Sequence, residues 1–205
     1  MTAADMTAAE IITAGPADLD VLSEVIAEAF FDLPPSPWLI ADPDARRKIF
    51  PPYFRLILDG VMAAGVVQTN AARTAAALWQ PAGEPAQHTD AADAAGDYPA
   101  ALAAITGPWA GRFGMFDATL ESTHPAGRPH HHLAILAVRP ACQGQGEGTA
   151  LLRAFHQALN GKPAYLEAAS QRTRKIYLQH GYADHGPPIQ LPDGGPQMFP
   201  MWRQP

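Results

Sequence analysis

The sequence predicts an α+β domain of the three-layer type, with helices on both faces of a central sheet. Two observations predict it. The run Leu133-Ala134-Ile135-Leu136-Ala137-Val138 is apolar with no polar alternation, which marks a strand covered on both faces. Amphipathic helical segments also alternate with short strand-like runs along the chain, so a sheet has helices available to cover it.

The elements follow in order. Residues 1–10 read as a loose leader and residues 11–205 as one domain, with Ile11-Ile12-Thr13 its first strand. Gly15-Pro16-Ala17-Asp18 opens a helix whose Leu19, Leu22, Ile26, Ala29 and Phe30 share a face, stopping before Pro34-Pro35. Phe31 to Ile40 reads as a stiff aromatic loop that either caps the core or lines a pocket. Asp42 N-caps a second helix with Pro43 in its first turn and an apolar face through Ile49, Phe50, Tyr53, Phe54 and Ile57. Pro51-Pro52 predicts a kink or a split there, and Gly60 to Gly65 its end. Val66–Asn70 and Thr74–Trp79 form a hairpin, and Pro81 to Asp97 a surface loop. Tyr98–Ile105 and Trp109–Leu120 read as helices parted by Gly107-Pro108, and Thr123 to Pro129 as a linker into the central strand. After that strand come a helix from Thr149 to Leu159, a strand over 164–169, a Ser170-capped helix from Gln171 to His180, and a terminal hairpin of Ile189–Leu191 with Met198–Arg203.

Between the central strand and its helix lies Gln143-Gly144-Gln145-Gly146-Glu147-Gly148. Glycines at every second position let backbone N–H groups turn toward an anion, and the helix dipole adds attraction, so the loop reads as a phosphate or pyrophosphate cradle. A nucleotide-hydrolysing P-loop needs a Gly-Lys-Ser/Thr ending, whereas Gly148 sits between Glu147 and Thr149. A dinucleotide fold needs its loop after an early strand, and this one lies in the last third of the chain.

The chain of 205 residues has a net charge of −6, which argues against a nucleic-acid partner and suits a cationic amine. Its single cysteine, Cys142, excludes an internal disulfide and a cysteine-based zinc cluster, and makes the cytoplasm the natural compartment. No apolar run approaches a bilayer span, and residues 1–10 lack the order of a signal peptide, so no membrane partner is expected. Among titratable groups, Glu167 is an unusual charge in an apolar strand and reads either as a general base or as half of an ion pair with Arg172. His130 and His132 share a strand face; His132 is a second base candidate or a strand-entry histidine. No Cys, Asp or Glu pattern completes a metal site around the His130–His132 trio. Arg172, Arg174 and Lys175 read mainly as a solvated face, and Cys142 as a bystander.

These motifs resemble those of the GNAT N-acetyltransferases. Gln143, Gly146 and Gly148 meet the family's acetyl-CoA signature of glutamine or arginine, two residues, glycine, one residue, glycine or alanine. Ile176-Tyr177-Leu178-Gln179-His180-Gly181-Tyr182 is similar to its Phe-Tyr-x-x-x-Gly-Phe. Within the family the layout is similar to that of puromycin N-acetyltransferases, through Asp-Pro-Asp at 42–44, Ala-x-Trp at 77–79, Leu-Glu at 166–167 and a proline-acidic-glycine turn at 192–194. The resemblance implies the GNAT acyl-CoA N-acyltransferase fold, with a mixed, mostly antiparallel sheet. It also implies acetyl-CoA as cofactor and acetyl transfer to a primary amine of a small antibiotic or metabolite by direct attack. Longer acyl groups, a protein amine, a non-catalytic acyl-CoA sensor and a homodimer stay open.

By the same resemblance Leu136, Ala137 and Val138 contact the pantetheine through backbone groups, with the Val138 N–H an oxyanion donor. Gln143, Gly144, Gln145, Gly146, Glu147, Gly148 and Thr149 hold the pyrophosphate, Thr173 stands where the family has an asparagine, and Tyr177 protonates the leaving thiolate or is a buried structural tyrosine. The Glu147 carboxylate must turn away from such an anion. Phe31, Trp38, Tyr53 and Trp79 are the expected walls of the acceptor pocket.

Overall fold

A computed structural model describes residues 10–83 and 98–205, so the leader over 1–9 and the loop over 84–97 lie outside the described residues. Eight strands form one sheet in the order β1-β2-β3-β4-β5-β8-β6, with β7 paired to β8. They are β1 (Ile11–Thr13), β2 (Val66–Asn70), β3 (Ala75–Ala82), β4 (His130–Val138), β5 (Ala164–Ala168), β6 (Tyr182–Asp184), β7 (Ile189–Gln190) and β8 (Gln197–Arg203). Only β4 and β5 run parallel; the other pairs are antiparallel.

Helices α1 (Leu19–Phe30), α2 (Pro35–Leu39), α3 (Pro43–Ala64), α4 (Tyr98–Thr106) and α5 (Ala110–Thr123) enclose one core. There Leu22, Ile26, Phe50, Phe54, Leu58 and Phe113 pack on Leu78, Ile135 and Ala137 of the sheet. Helices α6 (Glu147–Ala158) and α7 (Gln171–Leu178) lie on the opposite core, where Leu151, Leu152 and Phe155 meet Trp79, Leu133, Leu166 and Met201. Two apolar cores divided by one sheet make the three layers.

Several sequence expectations change. The Phe31–Ile40 loop contains α2, its first turn started by Pro35, where a missing N–H costs nothing. Asp42 caps α3 as expected, accepting from the Asp44 N–H at 2.9 Å, but Pro51-Pro52 does not split the helix, which runs on through Gly60. The carbonyls the prolines leave without helical donors belong to Arg47 and Lys48, both exposed to water. β6 is an additional strand. The central run is not fully covered: Ile135 and Ala137 are buried, whereas Leu136 and Val138 are half-buried, because they face a cleft.

Candidate active site

The parallel ladder between β4 and β5 is short. His131 pairs with Ala164 and His132 with Tyr165, and past that point the two strands separate. Along its other edge β4 stays on β3, with one irregularity: Leu78 faces Ile135 and Trp79 faces Leu133, so Ala134 bulges out unpaired. The bulge puts Leu133, Leu136 and Val138 toward the α6 side, and Ile135 and Ala137 toward the α3 side.

The separation leaves backbone groups without partners. Arg139 N–H donates to the Thr74 carbonyl at 2.8 Å, so by antiparallel alternation Ala137 also points its N–H and C=O to β3. Leu136 and Val138 point theirs into the gap beside β5, where the Val138 carbonyl accepts from the Gln143 side chain at 3.0 Å. Ala137, named from sequence with its neighbours, is thereby corrected: its backbone belongs to the ladder and its side chain is buried in the opposite core.

A cleft of about 670 Å³ opens along this gap. Its walls come from both layers: Phe30 and Leu33 at the end of α1, Leu136 and Val138 of β4, and Thr173 and Tyr177 of α7. Its floor is the glycine loop, with Gln143, Gly144, Gly146, Glu147, Gly148 and Thr149 all on the lining. Gln145 is instead exposed, with its amide on the Ala141 carbonyl at 3.2 Å. Gly146 caps α6 in the left-handed region at φ +87°, open to glycine without strain. No side chain caps this helix, and the first intrahelical bond runs from Ala150 N–H to the Gly146 carbonyl, so the N–H groups of Glu147, Gly148 and Thr149 have no helical acceptor. An uncapped helix start in a cleft suits an anion. The Glu147 carboxylate accepts from the Thr74 hydroxyl at 2.8 Å, which ties it to the β2–β3 turn.

Ser170 caps α7 with Thr173 as its reciprocal partner, which aims the helix and its Tyr177 at the cleft. Burial pushes the Tyr177 hydroxyl well above its ordinary pKa, so it stays protonated at neutral pH.

Tyr165 and Glu167 project from the opposite face of β5 to Leu166 and Ala168, next to His132. The Glu167 side chain is only 5% exposed, and the His132 Nε2 donates to its Oε2 at 2.9 Å. Burial works to raise the Glu167 pKa, but His124, His132 and Tyr165 outweigh it and hold the carboxyl at about 2. His132, Glu167 and His124 line a second cavity of about 630 Å³, with Leu120, Glu121, Pro125, Ala126, Gly127 and Gly83. Arg172, the alternative partner of Glu167, lies instead on the cleft.

His124 was not legible as a site residue. It follows α5 in the apparent linker, and its ring reaches Glu167 only because that helix returns across the sheet; its Nδ1 is 3.8 Å from Oε1.

The four aromatic residues expected around an acceptor lie on neither cavity. Trp79 is 1% exposed and stacked on Phe155 at 4.0 Å, and Tyr53 is edge-on to Phe113 in the other core. Trp38 donates to the Pro192 carbonyl at 3.1 Å under Arg112, fastening α2 to the β7–β8 turn. Phe31 lies beneath the guanidinium groups of Arg46 and Arg47. Arg174 is tied to Asp184.

Residues 118–202 match the model of the acetyltransferase (GNAT) domain. No curated protein matches the chain. Among solved structures, a histone acetyltransferase HPA2 and related acetyltransferase from Corynebacterium glutamicum is 26% identical, with 96% of each chain covered and a TM-score of 0.72. A mosquito arylalkylamine N-acetyltransferase like 5b is 14% identical over 96% of this chain and 100% of that one, with a TM-score of 0.58. The ribosomal-protein-S18-alanine N-acetyltransferase of Escherichia coli is 16% identical over 95% and 92%, at 0.51. The mixed, mostly antiparallel sheet flanked by helices is the GNAT fold.

Proposed function

We propose that this chain is a GNAT-type N-acetyltransferase that moves an acetyl group from acetyl-CoA to a primary amine of a small molecule by direct attack. The observation that carries the reading is the cleft along the β4–β5 gap, floored by an uncapped helix N-terminus and walled by Leu136, Val138 and Tyr177; the His132–Glu167 pair lines a second cavity on the other face of β5. Acetyl-CoA, when bound, supplies the activated thioester. The N–H groups of Glu147, Gly148 and Thr149 hold its pyrophosphate, aided by the helix dipole. The unpaired N–H groups of Leu136 and Val138 meet the pantetheine and the thioester carbonyl, where negative charge develops during attack.

An amine reacts only when neutral, so its proton must leave. The Glu167 carboxylate is ionised at neutral pH, and with His132 it forms a pair that takes that proton directly or through one water. Tyr177, protonated and beside the cleft, returns a proton to the departing thiolate. Leu120, Pro125 and Ala126 beside the Glu121 and Glu167 carboxylates suit an acceptor that joins a cationic amine to an apolar arm.

The test is a mass-spectrometric screen of a metabolite and antibiotic library for products that gain one acetyl mass in the presence of enzyme and acetyl-CoA. Small-molecule amines that gain it support the reading. No product, with acetyl-CoA still raising the melting temperature, identifies a binding module instead.

A further inference from the structure

Around His124 the side chains of His130, His132 and Glu167 crowd together. The Arg128 carbonyl lies 2.8 Å from His130 Nδ1, and a carbonyl only accepts, so Nδ1 of His130 is the N–H. His130 is 2% exposed, and its Nε2 turns to His124. The two Nε2 atoms are 3.0 Å apart, so this nitrogen of His124 is engaged by His130. The remaining nitrogen of His124, Nδ1, faces Glu167 Oε1 at 3.8 Å. Oε1 is buried with no hydrogen-bond partner, on a side chain 5% exposed. A buried carboxylate oxygen without a hydrogen-bond partner beside two imidazoles is a setting that favours a bound cation.

We propose that His124 Nδ1, His132 Nε2 and the Glu167 carboxylate bind a divalent transition-metal ion of the zinc class. The three ligand atoms lie within 4.8 Å of one another. Ligands about 2.0–2.2 Å from a tetrahedral zinc are about 3.4 Å apart, and His132 Nε2 lies 2.9 Å from one Glu167 oxygen while His124 Nδ1 lies 3.8 Å from the other. His132 gives up its Nε2 proton on coordination, as imidazole ligands do. The contact of His124 Nε2 with His130, itself held by the Arg128 carbonyl, is outer support of the kind that orients ligating histidines. Two imidazoles with one carboxylate favour zinc, cobalt or nickel over magnesium or calcium, which take oxygen ligands. The fourth position opens on the cavity of about 630 Å³.

Binding stands on this cluster alone. That the ion blocks acetyl transfer, by occupying the lone pairs that take the amine proton, rests on the function proposed above.

The experiment titrates chelator-treated full-length protein with Zn²⁺ by calorimetry and with Co²⁺ by visible absorption. One ion per chain and the intense bands of four-coordinate Co²⁺ are expected. His124→Gln and Glu167→Gln should weaken binding about 100-fold or more, and His130→Gln about 10–100-fold. His185→Gln, outside the cluster, should bind as wild type, and circular dichroism checks that each variant folds. No binding by the wild type, or binding undiminished in folded His124→Gln, overturns the site. With an acceptor in hand, Zn²⁺ should stop acetyl transfer and a chelator restore it; unaffected transfer by zinc-loaded protein overturns the blocking. Metal binding by a protein that acetylates nothing leaves the site standing and removes the proposed function.

Discussion

Gly146→Ala isolates the contribution of the glycine loop. The residue holds φ +87° at the start of α6, and a Cβ built there meets nothing within 4 Å, so the substitution adds backbone strain and no clash. A left-handed conformation costs an L-residue about 1–2 kcal/mol. If the loop keeps its shape in the free protein, that energy appears as lost stability, a fall in melting temperature of roughly 2–8 °C for a chain of this size. If the free loop relaxes and is re-formed around CoA, it appears as a 5- to 30-fold weaker CoA Kd. Calorimetric Kd and denaturant unfolding, measured on the same preparation, should give losses that together come to about 1–2 kcal/mol. Gly146→Asn should lose less, since asparagine tolerates this region better. Stability and CoA affinity both unchanged in Gly146→Ala would refute the argument that the backbone geometry of this loop builds the anion site.

Tyr177→Phe should lower turnover by about 100-fold or more with CoA affinity unchanged, measured by thiol release and calorimetry; unchanged turnover removes Tyr177 as the acid. Trp79→Ala should destabilise the fold by about 3–5 kcal/mol in urea and Trp79→Phe by much less, because Phe keeps most of the stack on Phe155 and removes a buried, unpartnered N–H. His156, held neutral by burial with a pKa of about 4, favours the folded state above the unfolded-state pKa near 6.5. That stability is lost progressively as pH falls from about 6.5 to 4, so His156→Gln should flatten the stability profile in this window, and an unchanged slope would contradict the assignment.

The sequence displayed the cofactor end of the site far better than the acceptor end, for a physical reason. Strand, glycine loop and helix are contiguous, so residues 133–159 state their own geometry through periodicity and turn chemistry. The separation of β4 from β5 is a relation between strands some thirty residues apart, and no local pattern encodes it; the same holds for the bulge at Ala134, which depends on the register with β3. The tie of the Glu147 carboxylate to the Thr74 hydroxyl joins residues 73 positions apart, which no local pattern states. Aromatic residues misled most, since Trp79 and Tyr53 bury as much area in a core as they would in a pocket, and composition does not distinguish the two. His124 gave no signal at all, because its role arises from the return of α5 over Glu167.

The most direct measurement is a single turnover of enzyme with radiolabelled acetyl-CoA and an acceptor amine, quenched on the millisecond scale. Direct attack in the β4–β5 gap predicts acetyl-amine appearing at the rate of thiol release, no labelled protein at any time, and a rate at least about 100-fold lower in Glu167→Gln. Label accumulating on the protein before product, or transfer by Glu167→Gln at the wild-type rate, would contradict it.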